Sequence, residues 1–265
     1  MADDLHGLKG LSNMLAIVGV GETDYAADYP ASRAGKPTTD HFGFGIRAFK
    51  AALADAGLRR EDVDGLATYP GMGVGTGGFA GPGSPEVQDA LRLRLNWHDG
   101  GAEGPAQMRA VMAACFAVAA GAARHVLVYR TVTESTAQGT GGRQGIGGSG
   151  GGGSVPRFSG FLQWSLPFGA VSAANWLALV AQRRFAEFGL TREQLGQIAL
   201  NGRRNAARNP KAVYRDPMTM EDYLAARMIS TPLCLFDCDP PSDGSTAFVV
   251  SHADYGPDAP DRPAT

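Results

Sequence analysis

Three cysteines, five histidines and a cluster of arginines are the residues of this 265-residue chain whose chemistry invites attention first. Cys115 is a candidate nucleophile, because a single cysteine in an intracellular enzyme can form a covalent acyl intermediate. It lies between Ala114 and Phe116 in an apolar stretch with no cation within a helical turn. Such a setting raises a thiol pKa, so core packing is the expected role. Cys234 and Cys238 stand C-x3-C with no second pair, which leaves a four-ligand zinc site unfilled. His98 and His125 flank strand-like segments singly, and packing or surface roles are expected for both. Arg203, Arg204, Arg208, Lys211 and Arg215 are spaced to meet phosphates such as those of coenzyme A, or to form a solvated helix face. Gly19-Val-Gly21 follows a strand-like run, but Asp24 stands where a dinucleotide fingerprint needs its third glycine. No helix is expected to begin there, and a structural turn is the reading. P-loop, H-E-x-x-H and G-x-S-x-G patterns do not occur.

The elements around these residues alternate. Ala16–Gly21 reads as a buried strand, and Phe42, Ile46, Phe49 and Leu53 recur at helical spacing up to a stop at Gly57. The segment between is expected to be a polar loop. Leu66–Tyr69 and Leu95–His98 are strand candidates, with a short helix over Glu86–Leu93. Ala106–Ala123 is apolar nearly all round, which predicts a helix buried on most sides, and His125–Tyr129 follows as a strand. Gln138–Gly160 is glycine-rich and of low complexity, and reads as a mobile loop. Ala174–Phe188 has Leu177, Val180, Ala181 and Phe188 on one side. Thr191 with Gln194 and Thr219 with Asp222 carry N-cap signals for two further helices. Ala247–Ser251 is a last strand. The rhythm predicts a layered α/β domain.

The net charge of -2 argues against nucleic-acid binding, as it does against an anionic membrane surface. Residues 158–182 form the longest uncharged stretch, too interrupted by glycine, proline and polar residues to span a bilayer. Sparse cysteines and a start without a basic, then apolar, leader predict a cytoplasmic protein.

Three stretches together resemble the thiolase superfamily. They are 16–24 with 51–57 and 62–66 behind it, then the small-residue helix running into Gly121–Val128, then Asp243-Gly-Ser-Thr-Ala247. The segments 178–210 and 222–229 are similar to the lipid-transfer-protein, or sterol-carrier-protein, branch. This resemblance implies an α/β thiolase-like amino-terminal domain. Its mixed, mostly parallel five-stranded sheet would carry helices on both faces, and 14–133 with 232–256 would form the sheet core. Residues 134–231 would form a loop subdomain with helices, and the carboxy-terminal thiolase domain would be absent from these 265 residues. The family's nucleophilic cysteine position falls at or beside Gly104, where neither cysteine, serine nor threonine stands.

The steroid side-chain aldolases of that branch work without such a nucleophile. The resemblance therefore implies retro-aldol cleavage of a β-hydroxyacyl-CoA, in a chain inactive by itself. Glu103 and Gly104 would line the reacting centre, and Trp164, Phe168 and Gly169 would shape the acyl-CoA entrance. The substrate would be a coenzyme A thioester, with no bound cofactor or metal. A homodimer joined along the sheet edge, or a heteromer with an OB-fold protein, is implied as the assembly. An acyltransferase with an unplaced nucleophile and a non-catalytic acyl-CoA- or lipid-binding subunit are the alternatives.

Overall fold

The computed structural model describes residues 13–69, 78, 81–101, 107–139, 162–258 and 260. A five-stranded sheet is built from β1 (Leu15–Glu22), β2 (Gly65–Thr68), β3 (Trp97–Asp99), β4 (His125–Thr133) and β7 (Asp243–His252). Its order is β1-β7-β4-β2-β3. β7 runs antiparallel to both β1 and β4, while β2 is parallel to β4 and to β3. Four strands therefore point one way and β7 the other. The sheet is the mixed, mostly parallel one implied by the resemblance. A small second sheet pairs β5 (Met228–Ser230) with β6 (Leu233–Cys234).

Helices cover both faces of the large sheet, and strand alternation decides which side chains each meets. On one face α2 (His41–Asp55) buries Ala48, Phe49 and Ala52 against Ala16, Val18, Leu127, Tyr129, Ala247 and Val249. Asp40 caps α2 through Gly43 N–H at 2.8 Å, and Gly57 ends it at φ 68°. On the other face α4 (Gln107–Ala119) sets Ala110, Ala114 and Val118 on Ala67, Val126, Val128 and Val250. The register that puts Leu127 and Val128 on opposite faces is fixed by these two helices together.

Close packing of α2 explains the glycines of the first strand. A Cβ on Gly19 would lie 2.3 Å from the Ala52 carbonyl oxygen, and one on Gly21 2.2 Å from that of Ala48. The Gly-x-Gly pair admits a helix backbone, not a dinucleotide.

Two expectations fail. A helix does begin at Asp24: α1 (Tyr25–Arg33) occupies the segment read as a polar loop, and the Asp24 carboxylate accepts from Ala27 N–H at 3.0 Å. Its buried positions are Asp28 and Ser32, so no apolar stripe announces it. The dinucleotide reading still fails, because a capping carboxylate takes the place a pyrophosphate would need. Second, α4 is buried on one side only. Met108, Met112 and Phe116 project from the opposite side and are more than half or half exposed, since no described element covers that side. The helix expected over Ala174–Phe188 is present as α7 (Ala173–Phe188), which leaves Leu177, Val180 and Phe188 exposed and fully buries only Ala178.

The capping signals hold. Thr191 opens α8 (Arg192–Ala206), its hydroxyl accepting from Gln194 N–H at 3.3 Å, and Thr219 opens α9 (Met220–Ala225) with Asp222. The remaining helices are α3 (Ser84–Leu91), α5 (Glu134–Gly139) and α6 (Leu162–Ser165). No described helix is long and apolar enough to cross a membrane.

Candidate functional site

Ligands in open α/β sheets bind beyond the carboxyl ends of the parallel strands. Here that end gathers Glu22 of β1, Asp99 of β3, Thr133 of β4 and the start of β7 at Asp243. The chain leaves β3 for α4 from the same end. Glu103 and Gly104, expected at the reacting centre, lie outside the described residues. So does the glycine-rich stretch from 140 to 160.

Several polar groups at this end of the sheet are held by tertiary partners. Asp99 receives both terminal nitrogens of Arg109, with Nη2 at 3.0 Å from Oδ1 and Nη1 close against Oδ2. The Asp99 carbonyl accepts the Ser84 hydroxyl at 3.0 Å. Across the sheet, Asp243 is buried and accepts Thr136 N–H at 3.1 Å, and the Thr136 hydroxyl lies close against its second oxygen. Arg130 donates to the Tyr69 carbonyl at 2.8 Å and lies 4.8 Å from the Tyr69 ring centroid. Burial pulls its pKa below the ordinary arginine value.

A cavity of about 1220 Å³ opens at the β1 edge of this end. Its wall combines Glu22, α1, α8, the segment from Asn209 to Met218, and residues 227–242. Of the five basic residues expected to meet phosphates, Arg203 and Lys211 line it and Arg204, Arg208 and Arg215 do not. Arg33 and Arg227, distant in sequence from that basic run, line it as well, so that four cations share the wall with Glu22 and Asp239.

Several of these groups are fixed. Lys211 pairs with Glu22 at 3.1 Å, and its carbonyl accepts Ala26 N–H at 3.2 Å. The Tyr29 and Tyr214 hydroxyls meet at 2.7 Å, and burial with that contact pushes Tyr29 up to about 12. Arg203 lies 5.8 Å from the Tyr214 ring centroid and 5.6 Å from that of Phe236, and donates to the Asp216 carbonyl at 3.1 Å. Cations held over aromatic rings beside apolar walls suit an anion that carries a flat or apolar body.

Trp164 and Phe168 are strongly exposed, and Gly169 takes the left-handed turn that ends their short helical segment. None of the three lines the cavity.

Cys115 is half-buried in α4 and packs beside the Val126 cluster, and burial raises its pKa. A raised pKa leaves the thiol less thiolate than a free cysteine has. Cys115→Ala should leave turnover within about threefold of wild type, since an inert thiol holds little of the thiolate a nucleophile requires; a loss of activity in a well-folded variant would restore it as a nucleophile. Cys234 is buried, and Cys238 lines the cavity. Among the described residues no group of three or more His, Cys, Asp or Glu could hold a metal ion.

His125 sits at the opposite end of β4, buried, with Nδ1 2.8 Å from the Ser251 hydroxyl and its ring 4.7 Å from that of Tyr255. Burial lowers its pKa, more than Asp64 and Asp62 raise it. The unfolded chain therefore takes up this proton at a higher pH than the folded one. Stability from neutral His125 is complete above its unfolded value, about 6.5, and is lost as pH falls from there through the lower folded value. Urea unfolding at pH 7.5 and 5.5 should show a loss at the lower pH that shrinks in His125→Gln; an equal loss in both proteins would exclude His125 as the cause.

The sheet and its two helix layers define a thiolase-like fold. A monomeric SCP2-thiolase-like protein type 1 from Mycobacterium smegmatis shares it at a TM-score of 0.61, with 16% identity, covering 93% of this chain and 47% of that one. The solved "Ltp2-ChsH2(DUF35) aldolase" is more similar, at a TM-score of 0.76 and 33% identity over 96% of this chain and 59% of that one. A "Steroid side-chain-cleaving aldolase" of Thermomonospora curvata is 35% identical over 259 residues, 96% of this chain and 61% of its own length. A "17-hydroxy-3-oxo-4-pregnene-20-carboxyl-CoA lyase" of Mycobacterium tuberculosis is 32% identical over 267 aligned positions, again 96% and 61%. No protein-family model matches the chain. In sequence the chain is similar to these aldolase and lyase relatives, and in fold to the thiolase-like structures. It spans about three-fifths of the length of these curated relatives.

Proposed function

We propose that this chain is the amino-terminal part of a thiolase-like lyase that cleaves a β-hydroxyacyl-CoA by retro-aldol chemistry. The observation that carries the reading is the 35% identity to a steroid side-chain-cleaving aldolase over 96% of the chain. In the reaction a base takes the proton of the β-hydroxyl, the Cα–Cβ bond breaks, and its electron pair passes into the thioester as an enolate. Protonation at Cα then gives a shortened acyl-CoA beside a free carbonyl compound. This route needs a base and enolate stabilisation and no nucleophile.

Glu103 and Gly104 would face the reacting carbons, with Gly104 N–H as an enolate donor. The four cations of the cavity would meet the phosphates of the coenzyme A portion, and its aromatic and apolar walls would hold the rest. Trp164, Phe168 and Gly169 would shape the approach of the acyl chain. Met108, Met112 and Phe116, exposed on α4, would be covered by a second domain or partner, which fits a chain shorter than its relatives. A heteromer is favoured by the solved neighbour, which pairs Ltp2 with ChsH2(DUF35). A cytoplasmic enzyme with no resident metal or cofactor completes the reading.

Two variants of the holoprotein test the site. Glu103→Gln should lower kcat at least tenfold if the carboxylate acts in proton transfer, which typically contributes about 100- to 10,000-fold. Gly104→Val should abolish cleavage by filling the substrate's place. Full activity in both, in folded protein, would move the reacting centre elsewhere.

A further inference from the structure

Residues 209–218 join α8 to α9 without helix or strand and form one side of the cavity. The segment is a single chain thick: Lys211, Val213 and Met218 line the cavity and are half-buried, while Arg215, Asp216 and Pro217 are exposed. None of its residues is fully buried, and among the described residues no backbone N–H of 213–218 donates a hydrogen bond. Opening such a segment gives up little apolar burial and few backbone bonds, so this wall of the cavity yields more readily than α1 or α8.

Three tethers hold it. Lys211 reaches the first strand, through its ion pair with Glu22 at 3.1 Å, and its carbonyl accepts Ala26 N–H at 3.2 Å. The Asp216 carbonyl accepts from Arg203 of α8 at 3.1 Å. Tyr214 meets Tyr29 of α1, hydroxyl to hydroxyl at 2.7 Å and ring edge to ring face with centroids 5.8 Å apart. The Lys211–Glu22 side chains are 42% and 36% exposed, and an ion pair so open to solvent contributes little. The tyrosine contact joins a hydrogen bond to an aromatic pair, and both rings line the cavity.

We propose that residues 209–218 are a strap that opens to admit the ligand of the cavity, and that the Tyr29–Tyr214 contact is the latch that holds it shut. The identity of the ligand rests on the coenzyme A reading, whereas the latch rests on the geometry alone. A neutral hydrogen bond shifts an opening equilibrium by about fivefold. The edge-to-face ring contact adds a factor of similar size. A latch differs from a fixed wall in what it controls. It slows entry and exit alike, so its loss raises both rates and leaves the equilibrium affinity nearly unchanged.

Two reporters read the strap without ligand. Cys238 lines the cavity, so its labelling by N-ethylmaleimide follows access, with Cys115, half-buried outside the cavity, as the control in the same chain. The Ala26 amide is bonded to the strap through the Lys211 carbonyl, so its hydrogen exchange follows opening. The test compares the wild-type holoprotein with Tyr29→Phe, Tyr214→Phe, the two combined, and Tyr214→Ala. Each phenylalanine keeps the ring and removes the shared hydrogen bond. Labelling of Cys238 and exchange at Ala26 should both quicken about fivefold in the single phenylalanine variants. The double variant should match them, since all three lose the same bond. Tyr214→Ala, which also loses the ring, should reach about 10- to 30-fold. Labelling of Cys115 and exchange in α2 should keep their wild-type rates. In stopped-flow mixing with coenzyme A, association and dissociation should both quicken by the same factors at a Kd within threefold. Wild-type labelling and exchange in Tyr214→Ala would overturn the latch. A weaker Kd at an unchanged association rate would make the segment a fixed wall and overturn the gate. Should wild type bind no coenzyme A, the coenzyme A reading of the cavity falls, and labelling and exchange still decide whether the latch exists.

Discussion

Replacing Gly21 by valine is expected to destabilise the domain by about 3 kcal/mol or more, a large part of the roughly 5–15 kcal/mol that holds a domain folded. The side chain would have to enter space filled by the α2 backbone, with its Cβ 2.2 Å from the Ala48 carbonyl oxygen and 2.3 Å from Ala52 N. No rotamer relieves a clash at Cβ. The helix must lift from β1, and with it Ala48 and Ala52, which are fully buried on the sheet. Urea unfolding of Gly21→Val beside Gly202→Val separates this from a general intolerance of valine. Gly202, exposed on α8, has nothing within 4 Å of an added Cβ, and valine is no worse a helix former than glycine, so its variant should change stability by less than about 1 kcal/mol. Equal losses at the two positions would refute the packing role of the first strand's glycines.

The second large effect concerns the cavity. Arg203 is held by the Asp216 carbonyl and by two aromatic rings, so its charge is presented at little entropic cost. A charge-assisted hydrogen bond to a phosphate contributes about 1.5–3 kcal/mol. Arg203→Gln should thus weaken binding of a coenzyme A thioester about 10- to 100-fold. Arg227→Gln should act in the same direction. Lys211→Gln should cost less per charge lost, because Lys211 already spends part of its charge on Glu22. Calorimetric titration with coenzyme A and with its 3′-dephospho form checks this. Undiminished affinity in Arg203→Gln would remove the cavity from the binding reading.

The layered α/β domain was legible in the sequence wherever a face is apolar. The stripe Phe42, Ile46, Phe49, Leu53 marked α2, and the caps at Thr191 and Thr219 marked two helix starts to the residue. α1 stayed hidden because its buried face is Asp28 and Ser32, the first bonded to Thr38 at 2.5 Å and to Arg47 at 3.4 Å. A buried face made of polar residues has no hydrophobic period to read. The exposed side of α4 was misjudged for the converse reason: apolar residues all round report that a helix needs two covers, and only one lies among the described residues of this chain.

The candidate site was legible in part. Arg203 and Lys211 are close in sequence and drew attention as a basic run, whereas Arg33 and Arg227 join them only through the fold. The Asp99–Arg109 pair carried no signal, since nothing in a ten-residue spacing tells that a strand end and a helix start face each other.

The central claim, carbon–carbon cleavage without an acyl-cysteine, is tested most directly by turnover in the absence of free coenzyme A. The holoprotein should split a β-hydroxyacyl-CoA into equal amounts of a carbonyl compound and a shortened acyl-CoA. The rate should be independent of added thiol, and intact-protein mass spectrometry should find no acyl adduct on Cys115, Cys234 or Cys238. Cleavage that instead requires a β-ketoacyl-CoA and free coenzyme A, with an acylated cysteine caught by quenching, would contradict it.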